Sequence, residues 1–298
     1  MTPRERTLLS LRGLSVGDAF GENFFFAPEA VVTRALPPGP WRWTDDTHMA
    51  LSIVEILLNH DGIDQDQLAQ AFARRYGEAP WRGYAGGARR LLQRFREGGD
   101  WRVEAPRLFG QGSYGNGAAM RVAPIGAWFS DQPERAAVEA GKSAVVTHAH
   151  PEGQAGAMAV AVAAALMADY PHLGRKAFLQ AIIALTPPSL TQDRLRLALT
   201  IEPTDWQRAV EELGTGQQVA TFDTVPFCLW VCATVGSDYE AALWLTAAGR
   251  GDVDTTCAIV GGILGAAAVA IPPAWLAVRE PLPPEFEITA LSGELTLL

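Results

Sequence analysis

No apolar stretch in these 298 residues is long enough to cross a membrane. The longest, Cys257 to Ile271, falls short of the roughly 20 residues a spanning helix needs and is cut off by Pro272-Pro273, so it reads as a buried core helix. Cysteine is scarce: Cys228, Cys232 and Cys257 are odd in number and lie in apolar surroundings, which points to reduced core thiols rather than a disulfide framework. Cys228 and Cys232 face one way on a helix, but no His or further Cys stands near to complete a zinc site. Charged residues make up only 19% of the chain and leave a net charge of −9. That balance argues against sequence-independent binding of duplex nucleic acid, which depends on a basic surface neutralising phosphates. The first residues carry charge but no sustained apolar core and no cleavage site, so they are expected to be mature protein, and the chain to be cytoplasmic. No run of alternating strands and no fixed-period repeat is visible.

Helical periodicity dominates. Apolar stripes at three- and four-residue spacing run over Thr7–Val16, Thr47–Asn59, Gln65–Tyr76, Ala85–Arg96, Gly117–Phe129, Gln132–Val146, Glu152–Asp169, Gly174–Leu185, Thr204–Leu213, Pro226–Val235, Tyr239–Ala248 and Thr255–Ala270. Abundant Ala and Gly suit helices that pack closely through small side chains. The breaks at Ala35–Pro40, Gly98–Gly117, Thr186–Leu190 and after Ile271 read as loops, and none resembles a flexible interdomain linker.

Two acidic clusters, Thr44-Asp45-Asp46-Thr47 and Asp252-Val253-Asp254-Thr255-Thr256, each stand at the start of an apolar helical stretch. Alone, the first is an ordinary helix start, with Thr44 as N-cap and two acids where the helix dipole favours them. Repetition of the device changes the reading, because adjacent carboxylates repel one another unless a cation lies between them. The second cluster begins like a calcium loop but lacks the later ligands and closing Glu of an EF-hand. Carboxylates with Thr hydroxyls form a hard-oxygen set suited to Mg²⁺ or Mn²⁺. A site shared by clusters near opposite ends of the chain requires both ends to close into one core, so residues 1–298 are expected to form a single all-α domain.

The segment Phe109-Gly110-Gln111-Gly112-Ser113-Tyr114-Gly115-Asn116-Gly117 contains G-x-G-x-x-G, but no buried strand precedes it and no P-loop Lys-Ser/Thr follows. It is either a loop whose backbone N–H groups receive a phosphate or a tight turn that lets helices pack closely. His148 and His150 precede an Ala-rich helix and are either capping or surface residues or ligands. Trp41, Trp43 and Phe24-Phe25-Phe26 either wall a nucleobase pocket or belong to the core.

Read in order, Gly13 to Gly21, Trp43 to Thr47, Gly112 to Arg121, Thr147-His148 and Gly251 to Thr255 resemble the ADP-ribosylglycohydrolase family, of which dinitrogenase reductase-activating glycohydrolase is the best-known bacterial type. The resemblance spans nearly the whole chain. It implies a compact all-α bundle with a central binuclear site, in which two divalent cations, Mg²⁺ or Mn²⁺, are held by Thr44, Asp45, Asp46, Asp252, Asp254 and Thr255. It implies ADP-ribose over the metals, contacted by Gly112, Ser113, Tyr114, Gly115, Asn116, Gly117, Arg121 and His148, with Glu22, Asp45 and Asp254 as catalytic residues. The implied activity is hydrolysis of the glycosidic bond between ADP-ribose and an acceptor, a modified protein side chain or a small conjugate; the alternative is a non-catalytic ADP-ribose or nucleotide sensor. The sequence departs from the family pattern in two places. The active-site Glu of better-known members lies a few residues beyond Glu22, where this chain has Phe24-Phe25-Phe26, so its role is assigned to Glu22. Many relatives also have consecutive glycines where this chain reads Gly249-Arg250-Gly251, leaving Arg250 either to touch an acidic ligand or to be solvated.

Overall fold

The computed structural model describes residues 1–288, and all regular structure among them is helical. In chain order the α-helices are α1 (Pro3–Glu22), α2 (Pro28–Thr33), α3 (Asp45–His60), α4 (Gln65–Glu78), α5 (Gly86–Arg96) and α6 (Trp101–Arg107). They continue with α7 (Ala123–Trp128), α8 (Pro133–Val145), α9 (Pro151–Asp169), α10 (Arg175–Leu185) and α11 (Leu190–Ala198). The last are α12 (Trp206–Leu213), α13 (Val225–Val235), α14 (Tyr239–Ala248), α15 (Val253–Ala266) and α16 (Pro273–Val278). None is long and apolar enough to span a membrane. α9 and α15 are buried on almost every side, as helices apolar all round must be, and the remaining helices wrap them.

The pairing of α1 with α15 is the most extensive in the fold, and it sets the position of the acidic clusters. Gly13, Gly17 and Gly21 share one face of α1 through their four-residue spacing. A Cβ on Gly17 would stand 2.1 Å from the Cys257 carbonyl oxygen, and one on Gly21 2.4 Å from that of Val253. The two backbones therefore touch directly, which brings Asp18, the neighbour of Gly17, to the start of α15. The chain ends also meet as expected: the Trp41 N–H donates to the Val278 carbonyl (2.7 Å), and the Glu280 N–H to that of Trp41 (2.8 Å). Phe20 stacks on Trp275 at 4.5 Å, with Trp41 and Trp244 edge-on.

The start of α3 differs from the expected cap. Thr44 occupies the N-cap position, but its hydroxyl makes no capping bond and bridges Asp18 Oδ1 (2.9 Å) and Asp46 Oδ2 (3.0 Å) instead. Asp18 supplies the cap from another helix, accepting from the N–H groups of Thr44 (2.9 Å) and Thr47 (3.0 Å) and from the Thr47 hydroxyl (2.5 Å). Open donors at a helix start are thus satisfied across the fold rather than locally.

Other differences trace to short-range punctuation. The expected helix Gly117–Phe129 divides into a 3₁₀ segment, Asn116–Arg121, and α7, because Pro124 sits in the first turn of α7 and favours a fresh start. The expected loop Gly98–Gly117 contains α6, whose N-cap Asp100 accepts from the Arg102 N–H at 3.0 Å; a helix this short shows no periodicity. α2, α11 and α16 escaped the sequence reading for the same reason. All three cysteines are free and buried.

Candidate metal centre and ligand cleft

Three helices each contribute a carboxylate at the α1–α15 crossing. Asp18, Asp46 and Asp254 present oxygens within 4.8 Å of one another, a grouping able to hold a metal ion. Asp18 was absent from the ligand set expected from sequence; as a lone acid within an apolar helix it gives no local signal beyond its place in Gly17-Asp18-Ala19. Asp45, Asp46, Asp252, Asp254 and Thr255 all line an adjoining cleft, whereas Thr44 is buried behind it. Asp252 is fixed by Asn116 Nδ2 (2.7 Å), and Asp254 Oδ1 accepts from the Thr255 N–H (2.8 Å).

These acids are electrostatically frustrated. Burial, then the charge of Asp18, pushes Asp45 up to about 8. Asp18 itself rises to about 6, burial outweighing its hydrogen bonds from Thr47 and Thr44. Asp46 and Asp254 lie well above the usual carboxylate range, through burial and then through Asp18 and Asp46 respectively. Asp46 Oδ1 is buried without a hydrogen-bond partner, an expensive state for a carboxylate oxygen. An oxygen-only donor set with surplus negative charge and an uncommitted buried oxygen fits a hard divalent cation.

The cleft encloses about 610 Å³. Its wall is the glycine-rich loop, which runs from Asn116, bonded to Asp252, back to Phe109, whose ring rests against Gly87. Gly112 holds φ +85 and approaches the backbone of the following histidine segment so closely that a Cβ would meet the His150 N at 2.6 Å. The Gly115 N–H is taken by Ser113 Oγ (3.1 Å) and the Asn116 N–H by the Val219 carbonyl (3.2 Å). Among the described residues the adjacent N–H groups of Ser113 and Tyr114 find no acceptor. The Thr221 hydroxyl braces the loop through the Tyr114 and Gly115 carbonyls.

The two histidines take different roles. His150 caps α9, its Nδ1 accepting from the Glu152 N–H at 3.1 Å. His148 is half-buried in the cleft lining, with Nδ1 beside the Thr147 hydroxyl (2.8 Å) and Nε2 beneath Gly115 and Gly117. Burial, then Arg121, lowers it to about 3, so its imidazole is neutral at physiological pH. Arg121 lies wholly inside, donating to the Gly117 and Ser143 carbonyls and to the Thr147 hydroxyl, and braces the loop from below. Glu22 stands one turn beyond Asp18, half-buried and outside the cleft lining; burial, then Asp18 and Asp252, raises it to about 7. Arg250 is exposed at φ +58 with no ion pair among the described residues, so it is solvated. Of the aromatic candidates, Trp41 and Phe24 belong to the core and Trp43 lies 3.5 Å under Arg82. The aromatic residues in the cleft lining are Tyr114, one of the expected ADP-ribose contacts, and Phe109, which carried no expected role.

Fold and site define an all-helical protein with a carboxylate group able to hold a metal ion beside a cleft, and a glycine-rich loop along the cleft wall. Over residues 1–296 the chain matches the ADP-ribosylglycohydrolase family. It is 30% identical over 280 residues to an uncharacterized protein of Archaeoglobus fulgidus, covering 89% of this chain and 88% of that one. It is also 30% identical over 306 residues to human ADP-ribosylhydrolase ARH3, covering 86% and 83%. A shorter match, 29% over 163 residues, is to the ADP-ribosylarginine hydrolase Tri1 of Serratia proteamaculans, covering 49% and 43%. A solved structure described as an ADP-ribosylglycohydrolase-related protein complex superposes with a TM-score of 0.59 at 26% identity, covering 93% of each chain. The chain belongs to the ADP-ribosylglycohydrolase family.

Proposed function

We propose that this protein is a metal-dependent hydrolase that cleaves the glycosidic bond between ADP-ribose and an acceptor. The observation that carries the reading is the unpartnered Asp46 Oδ1 within the Asp18–Asp46–Asp254 group, beside a cleft whose wall offers free backbone donors. Asp45, Asp46, Asp252 and Asp254, with the hydroxyls of Thr44 and Thr255, would hold two Mg²⁺ or Mn²⁺ ions, and Asp18 would orient Thr44 and Asp46 from behind. Bound there, the cations would polarise ribose hydroxyls and lower the pKa of water.

The rest of the chemistry falls to the chain's own groups. The Ser113 and Tyr114 N–H groups bind the diphosphate, and the Gly112–Gly117 stretch, free of bulk, lets it approach. Neutral His148 contacts the ribose through Nε2, its other nitrogen being fixed by Thr147. Leu108 and Phe109 supply an apolar seat for the adenine. Cleavage at the anomeric carbon passes through an oxocarbenium-like state and requires proton transfer to the leaving group. Glu22, held near neutrality, is suited to exchange that proton through an intervening water.

Asp45→Ala or Asp254→Ala should abolish metal binding and hydrolysis together; unchanged turnover in either variant sinks the assignment. The acceptor is set by groups around the leaving side, so the decisive assay is a panel of arginine-, serine- and polymer-linked ADP-ribose and O-acetyl-ADP-ribose with each metal. Tight ADP-ribose binding with no release from any of them would identify a sensor.

A further inference from the structure

Helix α5 carries Arg89, Arg90, Arg94 and Arg96 and no acid, in a chain of net charge −9. Three of these cations are engaged. Arg89 Nε donates to the Tyr84 carbonyl (2.6 Å), Arg94 lies 3.6 Å from Glu97, and Arg96 donates to Gln93 (3.3 Å). Arg90 has no ion pair or hydrogen bond among the described residues. Its guanidinium is instead 5.8 Å from the ring centroid of Phe109, and its Nη1 lies 3.9 Å from where a Cβ on Gly86 would stand. The side chain thus folds back along α5 toward the first turn, where Ala85, Gly87 and Ala88 line the cleft. A cation in that position faces the positive end of the helix dipole, and no acid among the described residues pairs with it.

Phe109 is equally unusual. It is 63% exposed and holds φ +56, a left-handed conformation that strains a bulky residue. The ring lines the cleft, and the exposed guanidinium lies just outside that lining, beside the ring.

We propose that Arg90 forms an anion subsite at this end, for a phosphate attached beyond the adenosine ribose. The inference rests on the ADP-ribose reading above. With the diphosphate on Ser113 and Tyr114 and the adenine on Phe109, the hydroxyls of the adenosine ribose come next to Arg90. A guanidinium binds phosphate through paired charge-assisted hydrogen bonds, and contact with the ring pre-orders it. The substrate class is therefore an ADP-ribosyl group carrying further phosphate, either as a terminal monoester on that ribose or as the diphosphate of a following unit.

Calorimetry on the full chain with Mg²⁺ tests this, comparing ADP-ribose, its adenosine 2′-phosphate derivative and an ADP-ribose dimer. The readout is each anionic ligand's affinity relative to ADP-ribose, in wild type, Arg90→Gln and Arg94→Gln. Wild type should prefer at least one anionic ligand roughly tenfold at low salt, less in high salt, as expected for a partly exposed charge-assisted contact. Arg90→Gln should bring that ratio near one, and Arg94→Gln should preserve it. Preference for the monoester alone identifies a terminal phosphate, and preference for the dimer identifies a following unit. A wild-type ratio near one with ADP-ribose bound, or a ratio that survives in Arg90→Gln, overturns the subsite. Absence of any ADP-ribose binding overturns the hydrolase reading beneath it.

Discussion

Removing divalent cations should make the protein less stable as pH rises, and restoring them should cancel that trend. Asp45 is held at about 8 against an ordinary 3.8, and Asp46 and Asp254 lie higher than usual as well. Between those limits the metal-free fold keeps protons that the unfolded chain has released. A raised carboxyl contributes stability that is fully present below its unfolded value and is lost as pH climbs through its folded value. Each retained proton therefore costs ~1.4 kcal/mol of stability per pH unit. His148 and His48, lowered to about 3 and about 4, act with the opposite sign, but chiefly below about pH 6.5, where most free imidazole carries a proton. The window from about pH 6.5 to 8 thus isolates the carboxylates. Across it one retained proton is worth ~2 kcal/mol, or a fall in Tm of roughly 4 °C for a chain of this size.

The assay is thermal melting of chelator-treated protein at several pH values in that window, with and without saturating Mn²⁺ or Mg²⁺. Cation binding requires ionised carboxylates, so the metal-induced rise in Tm should grow with pH and flatten the downward slope. Asp46→Asn should blunt the metal response. A metal-free Tm that stays level or rises from pH 6.5 to 8, with a metal shift independent of pH, would refute the reasoning.

Gly17→Ala drives a methyl into the Cys257 carbonyl and should destabilise by about 3 kcal/mol or more in denaturant unfolding. Gly174→Ala, with nothing within 4 Å, should leave the midpoint nearly unchanged or slightly raised. Asp18→Asn turns an amide donor toward the Thr44 and Thr47 N–H groups and should cost about 3 kcal/mol, read by melting; metal titration should weaken in parallel. Imidazole resonances of His148, followed by NMR, should show no titration between pH 5 and 8, because burial and Arg121 keep the ring neutral.

Much of the fold was legible because its long helices are amphipathic or wholly apolar, and period alone reveals such segments. Tyr239–Ala248 was bounded correctly by its apolar spacing, and Asp238 and Gly249 cap its ends. The shorter helices were missed because one or two turns cannot display a period; their caps, such as Ser189 before α11, were the readable signal. The clusters at Thr44–Thr47 and Asp252–Thr255 were visible because helix starts have a local grammar. The Phe109 part of the cleft wall was not, since whether an aromatic faces core or solvent depends on neighbours remote in sequence. Phe24 and Trp41 found partners in Trp244 and Trp275, while Phe109 stays exposed beside Gly87 and Arg90.

Asp18 shows how the missing part is encoded. Its role follows from the helix crossing that Gly13, Gly17 and Gly21 permit, so the informative pattern was the spacing of glycines rather than the acid. Those glycines bring α15 close enough for Asp254 to face Asp18, and Asp18 in turn takes over the capping of α3. Freed from capping, the Thr44 hydroxyl can hold Asp46 Oδ2 and leave Oδ1 uncommitted. A substitution that separates α1 from α15 should therefore abolish metal binding even with every acidic side chain intact. Gly21→Ala offers that test: its methyl would meet the Val253 carbonyl and the Asp254 Cα. Loss of metal response at temperatures where circular dichroism shows the variant still helical would place the origin of the site in the crossing; retained metal affinity would return it to the local clusters.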